Sequence, residues 1–221
     1  MLPVLFQWGE HDILPLRRLN MKRCSIIFHS VCGNCYLIAT AFHDALKAHG
    51  VDARLYHVED SDLHIWANKL EVANDYYEEI SDLPVANAEK MLKSDMIILG
   101  SPTYFGNVSA EVKQFMDSSS IYFNDGSLSG KYFACFTSGS YVEGGGALTI
   151  QSMLHYAQHM GMIHIPVGKQ VHHIDPQQPD SGIMHHSGPD SEIRPSDRLE
   201  KAIQFYAKLL AKALQETPRE D

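Results

Sequence analysis

The sequence predicts an α/β fold: a doubly wound parallel sheet of five strands in the order 2-1-3-4-5, with helices on both faces. Three observations carry this. Short apolar runs alternate with stretches whose apolar residues recur at helical spacing, the rhythm of strand–helix–strand crossovers. The run Met96-Ile-Ile-Leu99 is apolar throughout, as a central strand covered on both faces must be. Three loops of small residues, Phe28-His-Ser-Val-Cys-Gly-Asn-Cys-Tyr36, Gly100-Ser-Pro-Thr-Tyr-Phe-Gly-Asn107 and Thr137-Ser-Gly-Ser-Tyr-Val-Glu-Gly-Gly-Gly146, each follow a strand-like run. All three therefore fall at carboxyl ends of strands, where such sheets bind ligands.

The first strand is the short apolar run 24–28. Residues 34–49 form a helix, because Leu37, Ile38, Ala41, Phe42, Ala45 and Leu46 fall on one stripe. Gly50 follows where a left-handed C-terminal residue is wanted. Residues 53–58 alternate partly in polarity and suit an edge strand, and 96–99, 132–136 and 162–165 supply the remaining three. Helices are expected over 109–118, with Ser109 as N-cap, over 147–160, and over 197–215, whose start Pro195 and Ser196 punctuate. Residues 59–85 are acidic and read as a solvated excursion with a short helix. Residues 167–195, rich in Pro, Gly, Ser and His, read as a long functional or interface loop.

At 221 residues, 44% hydrophobic and 20% charged, the chain reads as one soluble globular domain over residues 21–215. Residues 1–20 form an N-terminal extension and 216–221 a C-terminal tail. The opening stretch lacks the basic start and long apolar run of a signal peptide. A formal net charge of -9 argues against nucleic acid as the main partner, and no apolar run approaches a membrane span. Four cysteines, two of them (Cys24 and Cys135) in core strands, do not make a disulfide scaffold, and a cytoplasmic location is expected.

A strand turning through small polar residues into a helix leaves free N–H groups at the positive end of the helix dipole, an anion site. Ser30, Gly33 and Asn34 suit a phosphate there, although Ser and Asn also cap ordinary helices. With two further loops on the same sheet edge, the expected ligand carries a phosphate and a flat ring system, namely FMN. Cys32-Gly-Asn-Cys35 is also a C-x-x-C at a helix start, where the dipole should lower the Cys32 pKa. Dithiol catalysis is thus an alternative, as is a disulfide that gates FMN entry. Tyr104 and Phe105 could edge a flavin or simply pack. Tyr104 is the candidate catalytic residue, able to donate a hydrogen bond to an acceptor oxygen, though a phenol is a weak acid at neutral pH. His172-His173 and His185-His186 lack matching carboxylate spacing and are expected to be solvated or at an interface, with no metal site.

Over about residues 21–214 the chain resembles the flavodoxin-like NAD(P)H:quinone oxidoreductases of the tryptophan-repressor-binding-protein type. The resemblance rests on Ser30-Val-Cys-Gly-Asn-Cys35, Ser101-Pro-Thr-Tyr-Phe-Gly-Asn107, Gly144-Gly-Gly146, Gly161-Met-Ile-His-Ile-Pro166 and Arg194-Pro-Ser196. It implies non-covalent FMN, NADH or NADPH as electron donor, a quinone-like acceptor, and association as a homodimer or homotetramer. It further implies that Ser30, Val31, Cys32, Gly33, Asn34 and Cys35 wrap the phosphate, and that Pro102, Thr103, Tyr104, Phe105, Gly106 and Asn107 border the isoalloxazine. Thr137, Ser138, Gly139, Ser140 and Tyr141 would run beside its pyrimidine edge, His159 would lie near the flavin, and Phe123 would face the acceptor. Cys32 and Tyr104 stand where the family often has an aromatic and commonly an Arg. The family histidine itself aligns with Met160, beside His159. An electron carrier or FMN-binding sensor with little turnover is the second functional class the same fold would serve.

Overall fold

The computed structural model describes residues 21–216; the extension 1–20 and residues 217–221 of the expected tail lie outside the described residues. Its sheet runs β2–β1–β3–β4–β5, built from β1 (Arg23–Phe28), β2 (Asp52–His57), β3 (Met96–Pro102), β4 (Tyr132–Gly139) and β5 (Ile163–His164), all paired in parallel. Alternate residues of the central strands feed two separate cores, as a two-residue side-chain period requires. Ile26, Phe28, Met96, Ile98, Ala134 and Phe136 face one core, and Ile27, Ile97, Leu99, Phe133 and Cys135 face the other. That double burial explains why these runs are apolar without alternation.

Helices α1 (Asn34–Ala48) and α9 (Asp197–Glu216) cover the first face. Glu216, expected in the tail, is the last residue of α9. The acidic excursion holds three short helices, α2 (Leu63–Lys69), α3 (Glu71–Asn74) and α4 (Tyr77–Ser81), and α5 (Ala88–Leu92) precedes β3. Helix α6 (Ala110–Ser118) is capped by Ser109, whose Oγ accepts from the Val112 N–H at 3.3 Å, and a 3-10 turn (Ser119–Tyr122) follows it. Helix α7 (Gly146–His159) covers the second core with α6. Gly50 adopts φ 78°, as its place after α1 predicts. Among the described residues no helix is long and apolar enough to cross a membrane.

The segment 167–195 departs from the expected long loop. It holds α8 (Lys169–Ile174) and a sixth strand, β6 (Ile183–His186), which pairs with β4 from Phe136 to Gly139. β5 pairs with the same strand only at Tyr132 and Phe133, so two short strands share the position next to β4. Gln178 completes the arrangement: its Oε1 accepts from the Met184 N–H at 2.8 Å, and its Nε2 donates to the Met184 carbonyl at 3.1 Å. The sequence Ile-Met-His-His lacks the alternation and β-branched run that signal a strand, so pairing with β4 decides its conformation. His185, expected to be solvated or interfacial, is 6% exposed, and its Nε2 lies 2.7 Å from the Ile193 carbonyl.

Burial lowers the pKa values of His57, His164 and His185, in each case as the dominant cause. The unfolded chain then binds more protons than the native one between the depressed values and the ordinary value of about 6.5. Stability is therefore fully present above that value and falls as the pH drops through the window. Urea unfolding is expected to give a lower midpoint near pH 5.5 than near pH 7.5. An unchanged midpoint would contradict these placements.

Candidate functional site

The chain leaves β1 at Phe28 and reaches α1 in five residues. His29 N donates to the Gly100 carbonyl at 3.1 Å, which ties this loop to the end of β3. Ser30 is buried, and its Oγ accepts from the Tyr36 N–H at 3.2 Å. Gly33 is the N-cap of α1 at φ 83°, with no side-chain capping bond, and no acidic residue occupies the first turn. A 15-residue helix thus opens on a loop with no anionic partner of its own.

This loop is clamped from above. A Cβ on Gly33 would lie 2.2 Å from Cδ2 of Tyr76, so the tyrosine ring rests directly on the glycine. The Arg194 guanidinium sits 5.0 Å over that ring, donates to Asp75 Oδ2 at 2.7 Å and donates to the Cys32 carbonyl. Asn34 Nδ2 donates to the Ser191 carbonyl at 2.8 Å. The acidic excursion and the loop before α9, both remote in sequence, therefore fix the geometry of residues 30–35.

The second loop lies beside it. Thr103 N donates to the Ser138 carbonyl at 2.8 Å, and Thr137 Oγ1 donates to the Ser101 carbonyl at 2.7 Å while contacting Thr103 Oγ1 at 2.8 Å. Tyr104 and Asn107 exchange backbone bonds at 3.0 and 2.9 Å around Phe105 and Gly106, whose φ values are 51° and 75°. Two positive values suit a type I′ turn. Phe105 takes this conformation although it is not glycine, and it is fully exposed. A strained residue presenting an aromatic ring to solvent points to a ligand-edge role. Gly145 closes against this turn, since a Cβ there would lie 2.5 Å from the Gly106 Cα.

Between the loops is a cleft of about 90 Å³ lined by Ser30, Val31, Cys32, Asn34 and Cys35 from the first loop, by Pro102, Thr103 and Tyr104 from the second, and by Ser138, Gly139 and Ser140 from the third. A larger hollow of about 550 Å³ lies between α1 and the start of α9, away from the strand ends. The smaller cleft is the candidate site, because amides at the start of α1 and hydroxyls converge there and the chemistry of such a donor set suits a phosphate. Exposed Tyr104, Phe105, Tyr141, Val142 and Leu148 lie on the second and third loops and at the start of α7, offering apolar area to a flat ring.

Beneath the cleft, buried His29 lies with Nε2 3.0 Å from Asp60 Oδ2 and Nδ1 2.9 Å from Ser109 Oγ, with Glu111 Oε2 at 3.4 Å from Nδ1. Burial would raise the Asp60 pKa, but the bonds from His29 and from the Asp62 and Leu63 N–H groups hold it below the usual carboxylate range. Although the Tyr104 side chain is 45% exposed, desolvation at its hydroxyl pushes that group up to about 12, helped by Cys32 and Glu111 nearby. Burial also raises the Cys32 thiol, against the pull of a Ser191 hydrogen bond and the Arg194 charge. That corrects the expectation of a lowered Cys32 pKa, because desolvation outweighs the helix terminus.

The structure brings residues 30–32, 34, 35, 102–104 and 138–140 to one cleft, while Phe105, Gly106, Asn107 and Tyr141 lie on the same loops outside its lining. Thr137 lies below the cleft, its hydroxyl used by Ser101 and Thr103. His159 and Phe123 are set apart from it within one chain: His159 ends α7, whose amino end is at the Gly106 turn, and Phe123 follows the 3-10 turn at the far end of α6. Sequence reasoning assigns no role to Ser187 and Ser191, which also line the cleft, nor to Asp75, Tyr76 and Arg194. The one signal for them was Arg194 itself, a cation immediately before Pro195 and the last helix.

The model of the NADPH-dependent FMN reductase family matches residues 27–174. A protein named NAD(P)H dehydrogenase (quinone) from Archaeoglobus fulgidus is 34% identical over 157 residues, 69% of this chain and 81% of that one. A protein of the same name from Deinococcus radiodurans is 27% identical over 146 residues, 66% of this chain and 73% of the other. Among solved structures, the flavodoxin described as a WrbA-like protein from Agrobacterium tumefaciens superposes with a TM-score of 0.60 at 18% identity, covering 89% of this chain and 99% of that chain.

Proposed function

This chain belongs to the NADPH-dependent FMN reductase family, and from that premise we propose that it passes electrons from NADH or NADPH through bound FMN to a quinone or similar acceptor. The observation that carries this is the cleft at the carboxyl ends of β1, β3 and β4, where the start of α1, strand-end hydroxyls and an aromatic rim meet. Bound FMN supplies the ability to accept a hydride equivalent and release it to a second substrate, so the protein needs no nucleophile of its own.

The residues then have separable tasks. The amides at the start of α1, with Ser30 and Asn34, would hold the phosphate, and Gly33 lets the backbone turn beneath it. Pro102, Thr103, Tyr104, Phe105, Gly106 and Asn107 would border the ring on one side. The backbone of Ser138, Gly139, Ser140 and Tyr141 would meet its pyrimidine edge. N–H groups there favour negative charge on the reduced cofactor, since charge-assisted bonds are stronger than neutral ones. Tyr104, with its hydroxyl proton held to about 12, can orient an acceptor oxygen by donating a hydrogen bond but does not act as a proton source at neutral pH.

The test is anaerobic mixing of the FMN-loaded protein with NADPH or NADH. Rapid loss of the visible flavin absorbance, followed by its return on adding a quinone, is the expected result. A flavin that stays oxidised until a separate reductase is added would make the protein an electron carrier instead.

The proposal includes a homodimer or homotetramer acting in the cytoplasm. Four unpaired cysteines support the compartment. The exposed apolar residues Ile121 and Phe123 support the assembly, because Phe123 and His159 can meet a flavin only if it is held by another copy. Phe123→Asp is expected to lower the mass measured by light scattering and to weaken quinone turnover while leaving FMN bound. An unchanged mass would remove this contact from the assembly.

A further inference from the structure

We propose that Cys32 and Cys35 form a reversible disulfide that weakens the grip of the 30–35 loop on the FMN phosphate, a proposal that rests on the FMN reading above. The two thiols line the same cleft, at a three-residue spacing across the start of α1. Cys32 stands just before the Gly33 N-cap and Cys35 on the first turn, and both border one cleft. The other two thiols are out of play: Cys24 is 1% exposed and Cys135 is 0% exposed, both within strands. A metal does not explain the pair, since among the described residues the only cluster offering three ligands is His29, Asp60 and Glu111.

The pair is asymmetric in the way a dithiol switch needs. Cys32 is partly exposed; burial raises its thiol, and Ser191 and the Arg194 guanidinium offset part of that rise, which leaves it the more reachable attacking group of the two. Cys35 is 3% exposed on the first turn of α1, behind it. The Cys32 thiolate attacks one sulfur of a low-molecular-weight disulfide such as oxidised glutathione. The S–S bond of that reagent breaks, one thiolate leaves, and a mixed disulfide forms at Cys32. Cys35, losing its proton to solvent, then attacks the Cys32 sulfur and expels the second thiolate. Two protein thiols are oxidised and one small disulfide is reduced to two thiols.

Closing this bond draws the sulfurs to about 2.05 Å. The loop has little slack with which to absorb the change. Gly33 is held in the left-handed region under Tyr76, Arg194 fixes the Cys32 carbonyl, and Asn34 is bonded to Ser191. The adjustment therefore falls on the amides between the two cysteines, which are those that would face the phosphate. Linkage makes the effect mutual: if the disulfide weakens FMN binding, bound FMN equally disfavours the disulfide.

Reduced protein freed of FMN is treated with oxidised glutathione, and three quantities are read: free thiols, peptide connectivity and the FMN dissociation constant from fluorescence quenching. The expected result is a fall from four free thiols to two, a Cys32–Cys35 peptide, and FMN binding at least about tenfold weaker, all reversed by dithiothreitol. FMN added beforehand should slow the loss of thiols. Cys35→Ser should stop at glutathione on Cys32, and Cys32→Ser should make FMN affinity indifferent to the oxidant, whatever its own value. Reduced protein that binds FMN, with an oxidised form that binds equally well or never forms, overturns the proposal alone. Reduced protein that takes up no FMN overturns the functional reading beneath it, and the thiol count is still read separately.

Discussion

Gly33→Ala is expected to bind FMN about 100-fold more weakly than the native chain, or to be isolated without it. Two effects add. The residue stands at φ 83°, where any side chain carries a strain of about 1–3 kcal/mol. Its Cβ would also arrive 2.2 Å from Cδ2 and 2.9 Å from Cε2 of Tyr76, inside the body of the ring rather than at a free tip. Tyr76 cannot retreat alone, because the Arg194 guanidinium lies over it and Tyr36 packs against it with ring centroids 5.7 Å apart. Moving it shifts the bonds from Arg194 to Cys32 and Asp75, and so the loop itself. At about 1.4 kcal/mol per factor of ten, 100-fold corresponds to roughly 2.8 kcal/mol, within reach of the sum. The double variant Gly33→Ala/Tyr76→Ala separates the causes by restoring the part of the affinity lost to the collision and leaving the part lost to backbone strain. Native FMN affinity in Gly33→Ala, with an unchanged unfolding midpoint, would show that this loop does not carry the phosphate.

The main lines of the fold are readable in the sequence because they rest on periodicity. The unbroken apolar runs of β1, β3 and β4 reflect burial on both faces, the partial alternation of β2 reflects its edge position, and the stripe from Leu37 to Leu46 reflects one covered face of α1. The three ligand loops are readable because a chain that leaves a parallel strand for a helix needs small residues and turn formers at a known end of the sheet. What is not readable depends on contacts between segments far apart in the chain. β6 has no strand signal of its own and exists because β4 offers an unpaired edge beyond Phe136. Tyr76 and Asp75 look like members of an acidic surface run until Arg194, about a hundred residues later, pairs with one and covers the other. The Cys32 pKa illustrates the same limit, since a helix terminus is visible in sequence whereas the depth of burial that overrides it is not.

Gly100 joins fold and site, and its replacement by alanine is expected to be among the most destabilising single changes in the chain. It lies within β3, paired with Phe28 on one side and Phe136 on the other. A Cβ there would come within 2.1 Å of Cζ of Phe136 and 2.3 Å of Cε2. The ring has nowhere to go: it is fully buried and stacks on Phe42 at 5.8 Å, and Phe42 in turn meets Tyr206 edge-on at 6.0 Å. Overpacking a rigid core typically costs about 1–3 kcal/mol and sometimes more, and this collision belongs at the upper end. For a chain of this size about 3 kcal/mol lowers the melting temperature by roughly 6–12 °C. Shortening the ring provides the control: Gly100→Ala/Phe136→Leu should be more stable than Gly100→Ala, although Phe136→Leu alone leaves a cavity and destabilises. The two changes would then be strongly non-additive, as expected for residues that share one volume. Additive losses would mean that the ring does not fill the space above Gly100. The effect should also reach the cofactor, because the Gly100 carbonyl accepts from the His29 N–H and the next residues lead into Pro102 and Thr103. Gly100→Ala that remains folded is therefore expected to bind FMN more weakly, and the leucine double variant to recover stability and affinity together.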